Sequence, residues 1–388
     1  QAVASGALAS GDTVVVNADG TVSVITGVTG GSGTPVVFEA AGTSYTAATF
    51  DSNSNKVVIA FYNYKAVVGT VSGTTISFGA TAVFDSGGAI AYPAVTFDSN
   101  SNKVVIAYNT STKCRAVVGT VSGTSISFGS PVDYESGPNV GPWTGIAFDS
   151  NSNKVVISYS RAANSYYGTA VVGTVSGTSI SFGTKVVFNS ARSDNTSATF
   201  DSLNNKIVVA YQDRGNTYRG SAIVGTVSGT SISFGSEVVF ETSPFVYPRL
   251  VFDNNSNKVV IIYGSGGNGG KGIVGTVSGT SISFGSAVTF DANANNGTHV
   301  LAAAFDSENN KVVVSYIDTD NSNYGTNIVG TVSGTSISFD DKSVFESAEP
   351  DYISATFDSN ANKVVTAYQD TGGSNHGTSS VYTVGYTN

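Results

Sequence analysis

The sequence predicts an all-β fold, a seven-bladed β-propeller of four-stranded antiparallel blades whose ring is closed by the N-terminal strand completing the last blade. Three observations predict it: the composition, a seven-fold internal repeat, and the way the two chain ends complement each other. Gly accounts for 45 of the 388 residues, Met is absent, and only four leucines occur (Leu8, Leu203, Leu250, Leu301). Val, Ile, Thr, Tyr and Phe supply the apolar mass, and these are strand formers. Helices are disfavoured from the outset.

The tripeptide Phe-Asp-Ser recurs at Phe50, Phe97, Phe148, Phe200, Phe252 (with Asn third), Phe305 and Phe357, at spacings of 47, 51, 52, 52, 53 and 52. A period near 50 residues matches kelch-like propeller blades. Length alone predicts two or three domains; the repeat argues for one propeller over residues 34–388, preceded by an extension over residues 1–33.

In the second repeat, residues 92–97 alternate and end in the polar turn Asp-Ser-Asn-Ser-Asn-Lys at 98–103. Residues 104–108 form a continuous apolar run, as in a strand buried on both faces. Residues 116–121 form a third strand, Ser-Gly-Thr-Ser at 122–125 a tight turn, and residues 126–134 a fourth strand with a break at 129–131. Such a meander is one propeller blade. The unit beginning at Phe357 has only three strands, whereas residues 33–39 carry a spare fourth strand resembling residues 129–135. Pairing the two removes open sheet edges. In residues 1–33, residues 13–16 and 21–25 flank an Asn-Ala-Asp-Gly turn and predict a small hairpin.

The Asp-Ser-Asn-Ser-Asn-Lys and Ser-Gly-Thr-Ser turns lie on one face of the ring. The remaining connections lie on the other and differ from repeat to repeat. Scaffold turns repeat and binding loops diverge, so the divergent face is the candidate binding face. Its candidate ligand-binding residues are Tyr45, Tyr64, Tyr92, Trp143, Tyr166, Tyr167, Tyr218, Tyr247, His299, Tyr324, Tyr352 and His376, with Tyr62 and Phe245 beside them. Tyr and Trp offer large contact area with a polar tip.

Other motifs point to structure. Asp-x-Asn-x-Asn opens like a calcium loop, but Lys stands sixth where that loop needs Gly, and no Glu follows at the twelfth place. Asx-turn capping with an Asp–Lys pair is the expectation, and no metal is assigned. The third-strand glycines (Gly69, Gly119, Gly173, Gly225, Gly275, Gly330, Gly385) precede no helix and so form no phosphate cradle; they are expected to admit neighbouring blades. The tyrosines ending the second strands (Tyr108, Tyr159, Tyr211, Tyr263, Tyr316, Tyr368, with Phe61 first) are packing residues by their regularity. Asn109, Asn195, Asn254 and Asn296 match the glycosylation acceptor pattern, which an Asn/Ser/Thr-rich chain generates by chance.

His299 and His376, the only histidines, fall in different repeats, and no nucleophile elbow accompanies them. The Ser-x-Asp-x-Gly-x-x-Trp boxes of propeller sialidases are absent, since Trp143 stands alone in Pro-Trp-Thr-Gly. Paired carboxylates for glycoside cleavage stay open at Glu349 with Asp351 and at Asp318 with Asp320. The expectation is a non-enzyme with no cofactor. A net charge of −9 argues against nucleic-acid binding. No run of 18 apolar residues exists to span a membrane. The single cysteine, Cys114, excludes an intrachain disulfide framework or a Cys-based zinc site. Gln1 in place of an initiator Met is expected of a processed chain or a fragment.

The refrain Ala-Val-Val-Gly-Thr-Val-Ser-Gly-Thr-Ser-Ile-Ser-Phe-Gly (116–129, 170–183), with Phe-Asp-Ser-Asn-Ser-Asn-Lys-Val-Val-Ile-Ala-Tyr and the lead-in at 7–22, resembles repeats in virion structural and tail-fibre-like proteins of aquatic bacteriophages. The resemblance covers nearly the whole chain. It implies a virion-surface or extracellular protein, a capsid decoration or fibre head, oligomeric by display on a particle. It would dock on other virion or surface proteins through residues 1–33 and bind a host-surface glycan or receptor through the variable loops. Two alternatives stand beside it: a secreted or surface bacterial lectin or filament subunit, and a glycan-processing propeller enzyme.

Overall fold

The computed structural model describes residues 3–4, 14–16, 20–24, 30–86, 92–136, 144–243, 245–266, 269–294, 301–340 and 342–385. It is an all-β propeller. Helix among the described residues is confined to three short 3-10 turns, Ala162–Asn164, Arg214–Asn216 and Thr319–Asn321, and no helix is long and apolar enough to cross a membrane.

The second repeat shows the plan. Strands Ala94–Asp98, Lys103–Asn109 and Lys113–Ser122 pair antiparallel in order, with Phe97 opposite Val104 and Val104 opposite Gly119. The predicted fourth strand is two: Ser125–Phe128 pairs with one half of the third strand and Val132–Ser136 with the other. Each repeat therefore carries five short strands instead of four. Five of the breaks carry a glycine where a neighbouring repeat's turn comes close, and the sixth repeat splits likewise at Asp340. A Cβ on Gly129 would stand 1.8 Å from the Thr178 carbonyl oxygen in the next repeat's turn. Gly79, Gly183, Gly235 and Gly285 meet Thr124, Thr230, Thr280 and Thr335 in the same way. The turn of one repeat thus docks into the break of its neighbour.

Five such sheets stand separately. The third and fourth repeats share one nine-stranded sheet, because the 16-residue strand Val186–Asp201 serves both: its start pairs with Tyr167–Ser176 and its end with Lys206–Asp213. The first strands of successive repeats touch in turn, and the last, Pro350–Asp358, touches the first, Ala47–Asp51. The chain ends meet as the sequence predicts. Val36–Gly42 pairs with His376–Thr383, placing Val37 opposite Thr378, and Gly31–Ser32 extends that sheet. In the N-terminal segment, Val14–Val16 pairs antiparallel with Thr21–Val24, as the predicted hairpin requires.

The core lies between blades. Val105 and Ala107 of the second repeat pack with Val155 and Ile157 of the third. Phe38, Val57 and Ile59 pack with Val365 and Val381 from the end of the chain. Two local expectations need correction. A Cβ on Gly69, Gly119, Gly173, Gly225, Gly275 or Gly330 would strike the Ile and Phe of the following strand of the same repeat, so these glycines admit their own blade's side chains and not a neighbouring blade. In the polar turn, Asp98 caps as predicted, accepting from the Asn100 and Ser101 amides at 2.9 and 3.0 Å. Lys103, however, donates to Thr120 Oγ1 at 2.9 Å and not to the aspartate. The aspartate is buried and already satisfied, and the lysine reaches across to the third strand.

The second-strand tyrosines do more than pack. Tyr108 donates to Asp85 at 2.6 Å, Tyr159 to Glu135 and Tyr263 to Glu241 at 3.2 Å, and Tyr368 to Glu346 at 2.8 Å. Most of these carboxylates have a cation behind them: Arg115 at Asp85, Arg161 and Lys185 at Glu135, Lys271 at Glu241. Burial pushes the Glu135 carboxyl up, but the hydrogen bond and charge of Lys185, with Arg161, prevail and hold it below its ordinary value; Glu241 is lowered likewise, by the Ser243 amide and Lys271. A carboxyl depressed by folding stabilises above its unfolded pKa, and that contribution is lost as pH falls through the folded value. The melting temperature is expected to drop between about pH 5 and about pH 3. Glu135→Gln should lower it at neutral pH and flatten the acid limb; an unchanged pH profile would refute the assignment.

Candidate functional site

A cavity of about 230 Å³ lies on the ring axis, and every repeat contributes to its lining. The lining comes from the first half of each inner strand, residues 45–48, 92–95, 144–146, 195–198, 247 and 249, 302–303 and 353–355. The cavity therefore sits toward the variable loops and away from the Asp-capped turns.

The sequence register explains its mouth. Five residues before the repeated Phe stand Tyr45, Tyr92, Trp143, Asn195, Tyr247, Val300 and Tyr352. At this register the pairing of several inner strands slips, between Asp194 and Ser197, Val246 and Arg249, and Asp351 and Ser354. Tyr45, Asn195, Tyr247 and Tyr352 take positive φ there, at 54°, 54°, 39° and 52°. Left-handed backbone is uncommon for large side chains and clusters at functional positions. A bulge re-aims the residue it carries. Tyr45 is the centre of the resulting group, its ring edge-on to Tyr92 at 4.3 Å and to Tyr352 at 4.4 Å between centroids. Tyr247 lines the same cavity.

The next residue stitches the bulges to neighbouring blades. Thr46 Oγ1 bonds the Tyr352 carbonyl, Ser354 Oγ at 2.9 Å and the Ala367 carbonyl at 3.0 Å. Thr196 Oγ1 accepts from the Gly145 amide at 3.1 Å and donates to the Ser158 carbonyl at 2.9 Å. Burial raises the hydroxyl pKa of Tyr45 and Tyr352, and that of Tyr92 to about 12 with a further push from its bond to Tyr45. All three stay protonated at neutral pH and can donate as well as accept. The described lining contains no carboxylate, histidine or cysteine; Arg249 is its one charged side chain.

Of the predicted site residues, Tyr45, Tyr92 and Tyr247 line the cavity, and Tyr352 packs edge-on against Tyr45. Tyr166 and Tyr218 form a separate rim group: Arg192 lies over Tyr166 at 4.8 Å and Arg214 over Tyr218 at 5.1 Å, and both arginines pair with Asp194 at 3.1 and 2.5 Å. Tyr167, Tyr324 and His376 begin third strands, half-buried, outside the cavity. Tyr64 is corrected: it is 3% exposed, packed on Phe84 and Tyr108, because its loop folds back over the blade. Trp143 and His299 lie outside the described residues. Asp318 joins Asp291 and Asp320, and the Lys342 ammonium bridges Asp291 and Asp318 at 2.7 and 3.0 Å, occupying the space between them and offsetting one of the charges. Asp351 is raised by burial and caps the Tyr352 amide at 2.8 Å. The shared register of the mouth residues and Arg249 are what sequence reading missed; counting back from each repeated Phe finds both.

No family profile and no curated protein matches the chain. Among solved structures, the chain is similar to the BP39L lectin from Burkholderia pseudomallei, at 11% identity and TM-score 0.62, over 87% of this chain and 94% of the lectin. It is also similar to Sqt1 of Saccharomyces cerevisiae, at 12% identity and TM-score 0.54, over 88% of this chain and 84% of that one. At such identities the likeness establishes the shared propeller fold.

Proposed function

We propose that the chain is a sugar-binding propeller, a lectin, and that the axial mouth built by Tyr45, Tyr92, Tyr247 and Tyr352 receives the ligand. Tyr45, Tyr92 and Tyr247 line one cavity, with Tyr352 edge-on against Tyr45, and that grouping carries the reading. Tyrosine rings offer faces to the C–H side of a sugar ring, and the hydroxyls of Tyr45, Tyr92 and Ser197 are placed to meet its polar edge. Specific polar groups within an apolar concavity are how such sites fix orientation. The volume lies below the roughly 300–1,000 Å³ of drug-sized sites, which suits one terminal sugar. The lectin among the structural neighbours accords with this. Binding without cleavage is favoured because glycoside hydrolysis needs two carboxylates flanking the bond, and the described lining offers none.

The ring is read as seven blades, with the nine-stranded sheet counted as two. Supporting this are the seven stretches of lining, one from each repeat, and the unbroken circuit of inner-strand contacts. Display on a virion is the location the repeats suggest, and mass spectrometry of purified particles tests it.

Tyr45→Asn and Tyr352→Asn test the site. Asn195 already occupies the same register at φ 54°, so Asn suits the left-handed backbone. Each variant is expected to keep its melting temperature and to lose about tenfold in affinity, near 1.4 kcal/mol, for the tightest sugar on a glycan array. Unchanged affinity would move the site elsewhere.

A further inference from the structure

Three residues before each repeated Phe, all seven repeats line the cavity, with Ala47, Ala94, Gly145, Ser197, Arg249, Ala302 and Ser354. Six are small, and that register is the wall of the channel. The fifth repeat breaks the pattern with the largest cation available. Arg249 makes no ion pair among the described residues; its Nη1 donates to the neighbouring Pro248 carbonyl at 3.1 Å. Arg115, Arg161, Arg192 and Arg214 each pair with a carboxylate; Arg219, on a third strand outside the cavity, is the other arginine without an ion pair among the described residues.

A guanidinium has five N–H donors in a rigid fork. Only Nη1 has a protein partner, and Arg249 is half-buried on the lining, so its other N–H groups are open to a ligand or water in the cavity. Burial lowers the guanidinium's pKa to about 10, with the Tyr247 hydroxyl acting in the opposite direction. The group is still charged at neutral pH. In a chain of net charge −9, a lone unpaired arginine on the axis attracts an anion against the sign of the whole protein.

We infer that the axial cavity selects acidic sugars: Arg249 forks onto the carboxylate of a uronic or sialic acid residue whose ring lies against the mouth tyrosines. The inference rests on the sugar-binding reading above and adds the substrate class to it. Carboxylate and guanidinium match in a two-point, charge-assisted pair. The six small residues opposite leave room for the ring, and the asymmetry of one arginine among seven positions fixes a single orientation.

Matched probes test this on the full chain: galacturonate against galactose, and sialyllactose against lactose, by calorimetry and array. In at least one pair the acidic member is expected to bind tenfold or more tighter. Arg249→Gln should abolish that advantage, bringing the acidic-to-neutral affinity ratio to about one in every pair, with the melting temperature unchanged. Arg249→Lys, which keeps the charge without the fork, should restore part of it. Equal binding of acidic and neutral members, or an advantage that survives Arg249→Gln, overturns the inference while leaving the lectin reading intact. Absence of binding to any array sugar overturns the lectin reading itself.

Discussion

Phe38→Ala is expected to destabilise the whole ring by about 3–5 kcal/mol, lowering the melting temperature by roughly 5–10 °C. Phe38 sits near the N-terminus, yet its ring packs at 5.2 Å on Phe61 and at 5.5 Å on Phe78 of the first repeat. Its strand pairs with the last strand of the chain. The residue therefore belongs to the seam between the first and last repeats. Losing it opens a cavity where one chain end is held to the other. Truncation of residues 1–42 should go further, exposing the paired edge of His376–Thr383 and giving an aggregating chain. Calorimetry of the two variants measures this. A melting temperature unchanged in both would mean that the N-terminal strand is not part of the closed ring.

Gly129→Val is the second large effect, a loss of more than about 4 kcal/mol, the size reserved for core clashes. The new Cβ would sit 1.8 Å from the Thr178 carbonyl oxygen, and backbone cannot move aside as a flexible side chain does. Gly123→Ala supplies the contrast. That residue has φ +60° with nothing within 4 Å of a Cβ, so only the backbone penalty applies, about 1–2 kcal/mol. Similar costs for the two would show that the turns of neighbouring repeats do not dock as described.

The scaffold was legible in the sequence because its parts repeat. Phe-Asp-Ser, the apolar second strand and Ser-Gly-Thr-Ser recur with the same environment each time, so one repeat could be checked against the rest. The spare strand at residues 33–39 was legible for the same reason. Other features escaped because they are relations between repeats. The Gly129 break answers a turn in the next repeat. The Tyr108–Asp85 bond joins residues whose spacing says nothing of their meeting. The third-strand glycines read alike for a neighbouring blade or for their own Ile and Phe, and only packing decides. At the site, aromatic content marked the right face but not which tyrosines converge. Tyr45, Tyr92 and Tyr352 meet because they stand at the same register at the head of the inner strands, while Tyr64, equally aromatic and as left-handed in backbone as Tyr45, sits in another connection and folds into the core.

The most direct test is a crystal structure of the chain with the tightest sugar found on the array. The account predicts the sugar on the ring axis, its ring against Tyr45 and Tyr92 and its polar groups within hydrogen-bond reach of Arg249. A sugar seated instead at the rim beside Tyr166 and Tyr218, with the axial cavity unaltered, would contradict it.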